Sequence, residues 1–511
     1  MTPESAEQEL IQKKSRALRM GGDEKVRRQH EAGRLTARER ISRLLDPGSF
    51  VELGLLACSD RPGMQDRTPA DGIITGYGLL DGRQVVLVAN DFTVLASTNA
   101  RIYTKKAHMM REESKFRGIP LIWLGESGGG RVPDIQGARG IVSLVPGDDR
   151  SVFSQYSHTR TCPWITAVMG QCNGVPAWQA CLSDFVVQVR GSTLSVAGAR
   201  ALQKSTGSSC TDQEMGGWEV QAKTTGIVDR VAENEEECFS LIKSFLSYMP
   251  SHSSEPPPVH TGPIVPGADT DSIMDILPEK RNRGYDMYRI IKTIADRDSI
   301  FDLKPVFGTT VITCLIRIHG RVTGCIASQP LVKGGAMDTD ALDKITSFLC
   351  LCDSFNIPLL FLHDTPGFIV GKEAELKKVG AKVTCAMNAL SQVTVPRISI
   401  VIRKSYGQAM FSMCGPGAGP DIVAAWPTAE MSFVDPYIAA DIAFGNLPDE
   451  ERLSHTQKMV MDAQAYPAAQ RYFIHEIIEP AHTRGFINRM LDVLCGTCAG
   501  SHSLANWPTK F

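Results

Sequence analysis

The sequence contains no apolar run that approaches the roughly 20 residues of a membrane-spanning helix. Its N-terminal segment mixes acidic and basic residues and has no apolar core, which argues against a signal peptide and indicates a cytoplasmic protein. Positive charge is not in excess either, since the net charge is −2, and no global field therefore favours nucleic acid or an anionic membrane. A chain of 511 residues with this composition is expected to form two or more globular domains.

Several catalytic and metal-binding patterns are also missing. There is no phosphate loop of the form GxxxxGKS or GxxxxGKT, no HExxH pair and no biotin-attachment sequence of the Ala-Met-Lys-Met type. The 11 histidines are not spaced as metal ligands, so no metal is predicted. The 14 cysteines are scattered, as is typical of reduced, buried thiols in a cytoplasmic protein. Cys495 and Cys498 form a CxxC pair without a second ligand pair, and we interpret it as structural.

What the sequence does contain is a series of short apolar runs, each ended by small or turn-forming residues. Runs of this kind are typical of strands buried on both faces, and the stretches between them are helical in pattern. The predicted strands lie at residues 85–89, 121–124, 164–169 and 185–189 in the first half, and at 359–362 and 398–402 in the second. Strands that alternate with helices predict an α/β architecture.

The chain divides by composition into an arm, two domains and a linker. Residues 1–34 form a charged, helical arm, and a helix starts after Thr36, because Thr36 and Glu39 have the spacing of a capping box. Residues 250–269 are rich in Pro, Ser and Gly and poor in apolar residues, which is typical of an interdomain linker. The predicted boundaries are 1–34 for the arm, 35–250 for the first domain, 251–270 for the linker and 271–511 for the second domain.

Three landmarks occur in the same order in both halves of the chain. Each half has a strand that ends in turn residues before a glycine, at Gly128 and Gly367. Each half then has a strand that runs into a glycine, at Gly174 and Gly407, and finally a short run that begins with isoleucine. Corresponding landmarks lie about 240 residues apart. This indicates a duplicated domain, although short α/β patterns also match by chance.

Glycine at the ends of strands is the pattern with chemical meaning. A glycine between a strand and a helix lets a ligand approach the backbone, and the first N–H groups of the helix have no partner within it. Two such N–H groups aimed at one oxygen form an oxyanion hole. Each glycine taken alone is also explained as a simple turn residue. Their repetition at equivalent positions in both halves favours a binding function.

Longer motifs carry a resemblance to biotin-dependent acyl-CoA carboxyltransferases. The first half contains ARERISRLLDPGSF (37–50), DGIITGYGLLDGR (71–83), NDFTV (90–94), SGGGR (127–131) and EMGG (214–217). The second half contains CDSFNIPLLFLHDTPGF (352–368), RKSYG (403–407), AAWPTAE (424–430) and IIEPAHTR (477–484). The resemblance is to the family that includes propionyl-CoA carboxylase β-subunits and methylmalonyl-CoA decarboxylase α-subunits.

This resemblance implies a fold, substrates and a site. Each half would be a crotonase-type (ClpP/crotonase) α/β domain, with the acyl-CoA held by the first and carboxybiotin by the second. Biotin would be carried on a partner, the biotin carboxylase or biotin carboxyl carrier subunit, and the subunits would form a hexamer. The amides of Gly174 and Val175 would stabilise the enolate, and those of Gln408 and Ala409 would hold the ureido oxygen of biotin. The other binding residues that it implies are Gly128, Gly129, Gly130, Arg131, Gly367, Phe368 and Gly407.

The sequence departs from the family where chemistry is expected. Val175 and Gln408 stand where the family usually has glycine, and Gln221 stands where histidine is common. Val175 and Gln408 keep their N–H groups, but we expect their side chains to crowd the pocket or to exclude a positive φ angle. Three interpretations stay open: a retuned acyl pocket, a decarboxylase or transcarboxylase subunit, and a non-catalytic scaffold subunit.

Overall fold

The computed structural model describes residues 2–145, 151–154, 156–262, 264–496, 502–508 and 510–511. The chain divides into two units. The first spans Met1–Ser253 and Pro508–Lys510, and the second spans Ser254–Trp507 and Phe511. Each unit combines one large sheet with surrounding helices, which confirms the predicted α/β architecture.

The first unit is built on an eight-stranded sheet. Its strands are β1 (Val51–Leu53), β2 (Ile73–Leu80), β3 (Arg83–Asn90), β4 (Leu121–Ser127), β5 (Trp164–Asn173), β6 (Phe185–Val189), β7 (Thr193–Ser195) and β8 (Arg230–Ala232). Its helices are α1 (Pro3–Leu18), α2 (Asp23–Glu31), α3 (Ala37–Leu44), α4 (Arg101–Arg117), α5 (Val132–Ile135), α6 (Gly137–Ile141), α7 (Ser151–Ser154), α8 (Val175–Leu182), α9 (Ala199–Thr206), α10 (Asp212–Gly216) and α11 (Glu235–Tyr248).

The strand order in this sheet is β1-β2-β3-β4-β5-β6-β8, with β7 beside the end of β5. The pairs β1–β2 and β2–β3 are antiparallel, and the remaining pairs are parallel. The central strands are largely apolar, as is typical of parallel strands covered on both faces, and β4 and β6 are buried at every position. The predicted strands at 85–89, 121–124, 164–169 and 185–189 are confirmed as parts of β3, β4, β5 and β6.

The second unit is built on another eight-stranded sheet. Its strands are β9 (Phe301–Leu303), β10 (Val311–Ile318), β11 (Arg321–Ser328), β12 (Leu359–Thr365), β13 (Arg397–Tyr406), β14 (Ile422–Ala425), β15 (Glu430–Ser432) and β16 (Glu476–Ile477). Its helices are α12 (Tyr288–Ile294), α13 (Thr339–Ser354), α14 (Lys372–Leu376), α15 (Val379–Ser391), α16 (Gly407–Ser412), α17 (Pro436–Phe444), α18 (Asp449–Asp462), α19 (Ala465–Gln470) and α20 (Thr483–Leu494).

The second sheet repeats the connections of the first. Its order is β9-β10-β11-β12-β13-β14-β16, with β15 beside β13. Two antiparallel pairs, β9–β10 and β10–β11, are again followed by parallel pairs. The predicted strands at 359–362 and 398–402 are confirmed within β12 and β13. In both sheets, the carboxyl ends of the parallel strands lie on the same side of the sheet, and the glycine-rich turns follow these ends.

The N-terminal arm is tied to the first sheet. The N–H of Gly21, between α1 and α2, donates to the hydroxyl of Thr93 at 3.0 Å, and Gln29 of α2 is buried. The next helix begins as predicted, because the side chains and backbones of Thr36 and Glu39 form a capping box before α3. The arm is therefore partly packed, and not only a solvated element.

The predicted linker and the C-terminal residues are each divided between the two units. From Ser254 onward the linker segment belongs to the second unit, where Val259 forms an antiparallel bridge with Arg321. The second domain was expected to continue to residue 511, but Lys510 groups with the first unit. There its ammonium lies 2.8 Å from the carboxylate of Asp229.

The described residues contain no helix that is long and apolar enough to cross a membrane. They also contain no group of three or more His, Cys, Asp or Glu side chains arranged to hold a metal ion. Within the CxxC pair, Cys495 is partly buried, whereas Cys498 lies outside the described residues.

Candidate active site

Two turns with glycine at a positive φ angle lie at matching places in the two sheets. Gly174 follows β5 and precedes α8, with a φ of +70°. Gly407 follows β13 and begins α16, with a φ of +57°. A β-carbon at Gly407 would lie only 2.8 Å from the carbonyl oxygen of Phe433. Glycine is therefore required for conformation at both turns, and for space as well at Gly407.

The N–H groups at the first turn differ in their availability. Gly174 donates its N–H to the carbonyl oxygen of Val196 at 3.2 Å, and Pro176 has no N–H. Val175, the first residue of α8, finds no acceptor for its N–H among the described residues. Of the two amides assigned to this turn from the sequence, the one on Val175 is thus open to a ligand.

The glycine run after β4 lies against this first turn. Gly129 has a φ of +101°, and a β-carbon at Gly174 would lie 3.5 Å from the α-carbon of Gly129. The N–H of Gly130 has no acceptor in the described part of the chain. Two adjoining turns therefore each present an unpaired amide, one on Gly130 and one on Val175.

Hydrogen bonds from neighbouring residues hold the glycine run in place. Gly128 donates its N–H to the carbonyl oxygen of Ala96 at 2.9 Å. The hydroxyl of Ser127 donates to the carbonyl oxygen of Ser97 at 2.8 Å and accepts the N–H of Gly129 at 3.1 Å. Ser127 has the GxSxG spacing of a serine nucleophile, but it is buried and engaged in these bonds. Its role is to shape the loop.

The side chain of Arg131 points into the protein. Its Nη1 lies 2.7 Å from Oδ1 of Asp71, and its Nη2 donates to the carbonyl oxygen of Thr98 at 2.8 Å. Burial raises the pKa of Asp71, although the neighbouring Arg131 opposes this shift. Because the Arg131 guanidinium is buried and engaged, the structure does not support the implied contact with CoA. Arg131 instead fixes the end of the glycine run.

The second unit presents unpaired amides in the same arrangement. The N–H groups of Gln408 and Ala409, at the start of α16, have no acceptor within the described segments. Gly367, after β12, has a φ of +131°, and its carbonyl oxygen accepts the N–H of Met337 at 3.0 Å. The following N–H, on Phe368, likewise has no acceptor among the residues that the structure describes. Phe368 thus corresponds to Gly130 of the first unit.

The departures from the family pattern have structural explanations. Neither Val175 nor Gln408 has a positive φ, so the expectation of a conformational conflict there is wrong; the preceding glycine adopts that angle. The side chain of Val175 packs against the hydrophobic cluster that contains Trp164, whereas the side chain of Gln408 is exposed. Gln221 is buried, and its amide donates to the carbonyl oxygen of Leu194 at 2.8 Å.

A buried carboxylate precedes each glycine-containing loop, and the sequence analysis assigned no role to the first, Glu126. Oε2 and Oε1 of Glu126 lie 2.6 Å from Arg40 and 2.9 Å from Arg34. Asp364 occupies the corresponding position in β12 and accepts a hydrogen bond from Nε of Arg403 at 2.9 Å. Burial raises the pKa of Asp364, and Arg403 opposes the shift. The available signal was a lone carboxylate inside an otherwise uncharged strand.

Comparisons with known proteins agree with this arrangement. The family model described as a carboxyl transferase domain matches residues 28–497. The chain is 33% identical to the methylmalonyl-CoA decarboxylase subunit alpha of Veillonella parvula over 95% of each chain. It is 34% identical to the propionyl-CoA carboxylase beta chain of Cereibacter sphaeroides over 94% of this chain and 95% of the relative. The structure is similar to a hexameric transcarboxylase 12S with methylmalonyl-CoA bound, with a TM-score of 0.91, 31% identity and 97% coverage of both chains. These matches confirm the resemblance carried by the motifs.

Proposed function

This chain belongs to the carboxyl transferase family, and on that basis we propose that it moves a carboxyl group from carboxybiotin, carried on a partner protein, to the α-carbon of an acyl-CoA. The observation that carries the proposal is the set of unpaired amides at matching turns of the two units. Amides of this kind stabilise an oxygen on which negative charge develops, and one such donor contributes about 3–4 kcal/mol in acyl-transfer enzymes.

The chemistry requires charge stabilisation on two different carbonyl oxygens. When the α-carbon of the thioester loses its proton, negative charge collects on the thioester oxygen, and we assign its stabilisation to the open N–H of Val175 at the turn that Gly174 begins. Gln408 and Ala409 donate to the ureido oxygen, which weakens the bond between the biotin nitrogen and the carboxyl carbon. That bond breaks, the nitrogen accepts the α-proton, and the enolate carbon bonds to the released carboxyl carbon. No side-chain base is needed.

The two units divide these tasks. The first unit would hold the acyl-CoA with its glycine run, and the second would hold biotin at the turns that contain Gly367, Phe368 and Gly407. The repeated strand order of the two sheets supports an origin by duplication of one crotonase-type domain. We also propose that the subunits form a hexamer, as described for the 12S relative. The partner would be a biotin carboxylase or biotin carboxyl carrier subunit.

The direction of transfer is a separate question. A relative named as a decarboxylase subunit and one named as a carboxylase subunit have nearly the same identity to this chain, 33% and 34%. One enolate serves both directions, because it gains a carboxyl group in one and a proton in the other. The scaffold interpretation loses its main support, since the positive φ angles remain on glycine and Val175 and Gln221 make ordinary packing and hydrogen-bond contacts.

The test is a biotin-dependent partial reaction. The purified chain is incubated with methylmalonyl-CoA as the probe, with and without free biotin, and propionyl-CoA formation is followed. We expect turnover that requires biotin, and a biotinylated carrier with labelled bicarbonate then gives the direction. If no acyl-CoA thioester of a panel reacts, and calorimetry detects binding of none of them, only the scaffold interpretation remains.

A further inference from the structure

Arg281 is the centre of a hydrogen-bond network in the second unit. Its Nη2 donates to the hydroxyl of Tyr406 at 2.6 Å and to Glu430 at 2.7 Å, and its Nε donates to Glu430 at 3.1 Å. Its Nη1 donates to Asp435 at 2.7 Å. Tyr406 in turn donates its hydroxyl to Glu430 at 2.5 Å. One guanidinium thus joins two carboxylates and a phenol.

The three partners of Arg281 come from the segments that surround the biotin-side turn. Tyr406 is buried, ends β13 and immediately precedes Gly407. Glu430 begins β15, which pairs with β13. Asp435 caps α17 by accepting the N–H of Tyr437 at 3.0 Å. The network therefore connects the start of the turn to the chain that runs beside it.

That neighbouring chain lies directly against Gly407. The carbonyl oxygen of Phe433, between Glu430 and Asp435, would lie 2.8 Å from a β-carbon placed on Gly407. Without Arg281, the carboxylates of Glu430 and Asp435 would repel each other on either side of this contact. The guanidinium offsets this repulsion, and its bonds link the end of β13 to the segment that contains Phe433.

The first unit holds its turn in a different way. Asn173 and Ser195 occupy the positions of Tyr406 and Ser432, and the Ser195 hydroxyl donates to Oδ1 of Asn173 at 2.8 Å. Thr193 corresponds in register to Glu430. At the acyl-CoA turn the side chains of this residue pair therefore share a neutral hydrogen bond, whereas a charged network surrounds the biotin turn.

We propose that Arg281 is a positioning residue for the biotin half of the reaction. It holds the turn at residues 407–409 so that the amides of Gln408 and Ala409 can receive the ureido oxygen, and it makes no contact with the acyl-CoA. The inference rests on the proposed function of these two amides. Arg281 would therefore affect the rate of carboxyl transfer to or from biotin, and not the affinity of the first unit for the thioester.

The test compares Arg281→Met, Arg281→Lys and the control Arg471→Met. Arg471 is an exposed arginine of the same unit, with an ion pair to Asp462. For Arg281→Met we expect the maximal rate of biotin-dependent methylmalonyl-CoA decarboxylation to fall by about 100-fold, the size expected for small misplacement of a site. The dissociation constant of methylmalonyl-CoA, measured by calorimetry, stays unchanged, which also shows that the first unit is folded. Arg281→Lys restores part of the rate, and Arg471→Met equals the wild type.

The outcomes separate this inference from the proposed function. If the wild type itself lacks biotin-dependent turnover, the proposed function fails. If the wild type is active and Arg281→Met retains its rate, the positioning role is wrong. An equal loss of thioester affinity and rate in Arg281→Met would also overturn it, since that result means general unfolding or a role in the first unit.

Discussion

Lys106 and Lys344 are equivalent residues of the two units, and each buries its ammonium against backbone carbonyl oxygens. They occupy the same position in α4 and α13. Lys106 donates to the carbonyl oxygen of Ala70 at 2.9 Å, and Lys344 donates to those of Phe307 at 3.0 Å and Val311 at 2.8 Å. Burial lowers the pKa of Lys106 to about 8 and that of Lys344 to about 7. Both lysines hold the segments that lead into the antiparallel edges of the sheets.

The low pKa of Lys344 predicts a pH-dependent stability. Its pKa is about 7 in the folded state and 10.5 in its ordinary state, so the unfolded chain binds more protons between these values. Stability contributed by this site therefore rises with pH from about 7 to 10, by at most about 1.4 kcal/mol per pH unit. Urea unfolding at several pH values should show a steeper rise for the wild type than for Lys344→Met. Equal slopes in the two proteins would contradict the assignment, and the control variant Lys243→Met, at a partly exposed site beside Asp81, should follow the wild type.

The buried pair of Arg40 and Glu126 predicts strong coupling. Their side chains are 1% and 0% exposed and lie 2.6 Å apart. Arg40→Met leaves the carboxylate without one of its two cations, and Glu126→Gln leaves the guanidinium without one of its partners, so each variant should lose about 3–5 kcal/mol of stability. A double-mutant cycle by urea unfolding should give a loss in the double variant well below the sum of the single losses. Additive losses would show that the pair is not coupled.

The elements that sequence predicted are those whose signal is local. Residues 164–169 and 185–189 are mostly apolar and are buried in the sheet, and Thr36 caps its helix with a partner three residues away. The interior charges were not predictable in the same way. Arg40, for example, bonds to Glu235, which is 195 residues distant in the chain.

The same distinction between local and long-range signals applies to the candidate site. Positive φ angles at Gly174 and Gly407 follow from glycine at a strand end, and the sequence indicated both turns. The sequence did not show that Val196 occupies the N–H of Gly174, or that Arg131 turns inward to Asp71. Both facts depend on which distant backbone and side-chain atoms the folded sheet brings near.

A strained turn beside the glycine run predicts a stabilising substitution. Leu95, Ala96 and Ser97 have φ angles of +49°, +53° and +48°, a conformation that costs non-glycine residues roughly 1 kcal/mol each. The corresponding turn of the second unit has glycine at two of its three positions, Gly334 and Gly335. Ala96→Gly should therefore gain about 0.5–1 kcal/mol, because relief of strain exceeds the added entropy of the unfolded chain.

The gain from Ala96→Gly can be checked by thermal unfolding against a helical control. Ala201 lies in α9 and is exposed, and Ala201→Gly should lose about 1 kcal/mol because glycine is a poor helix former. A rise in the midpoint for the first variant and a fall for the second is expected. A fall in both would show that the 95–97 turn is not strained.

The packing of Val175 predicts that its side chain does not set acyl preference. The side chain is part of the contacts of a hydrophobic cluster, so Val175→Gly should lower stability and leave the ratio of activities on acetyl-CoA, propionyl-CoA and butyryl-CoA unchanged. Gln408 is exposed, and Gln408→Gly is the informative comparison. A changed ratio in Val175→Gly would mean that the residue lines the acyl site after all.

The backbone N–H of Val175, unlike its side chain, is expected to take part in the reaction. Val175 is the first residue of α8, a position that accepts proline because its N–H has no partner within the helix. Val175→Pro therefore removes the N–H and also replaces the packed side chain, whereas Val175→Ala keeps the N–H and shortens the side chain, which controls for the lost packing. Loss of one oxyanion donor lowers the catalytic rate by about 100-fold to 1,000-fold.

We accordingly expect Val175→Pro to lose its turnover of methylmalonyl-CoA with free biotin while binding the thioester with nearly unchanged affinity. Val175→Ala should keep most of the wild-type rate, which separates the amide from the side chain. The uncharged ground-state oxygen gains less from a donor than the enolate does, so the rate and the affinity respond differently to the same loss. Full activity in Val175→Pro would move the oxyanion role to other amides, of which the unpaired N–H of Gly130 is the nearest along the adjoining turn.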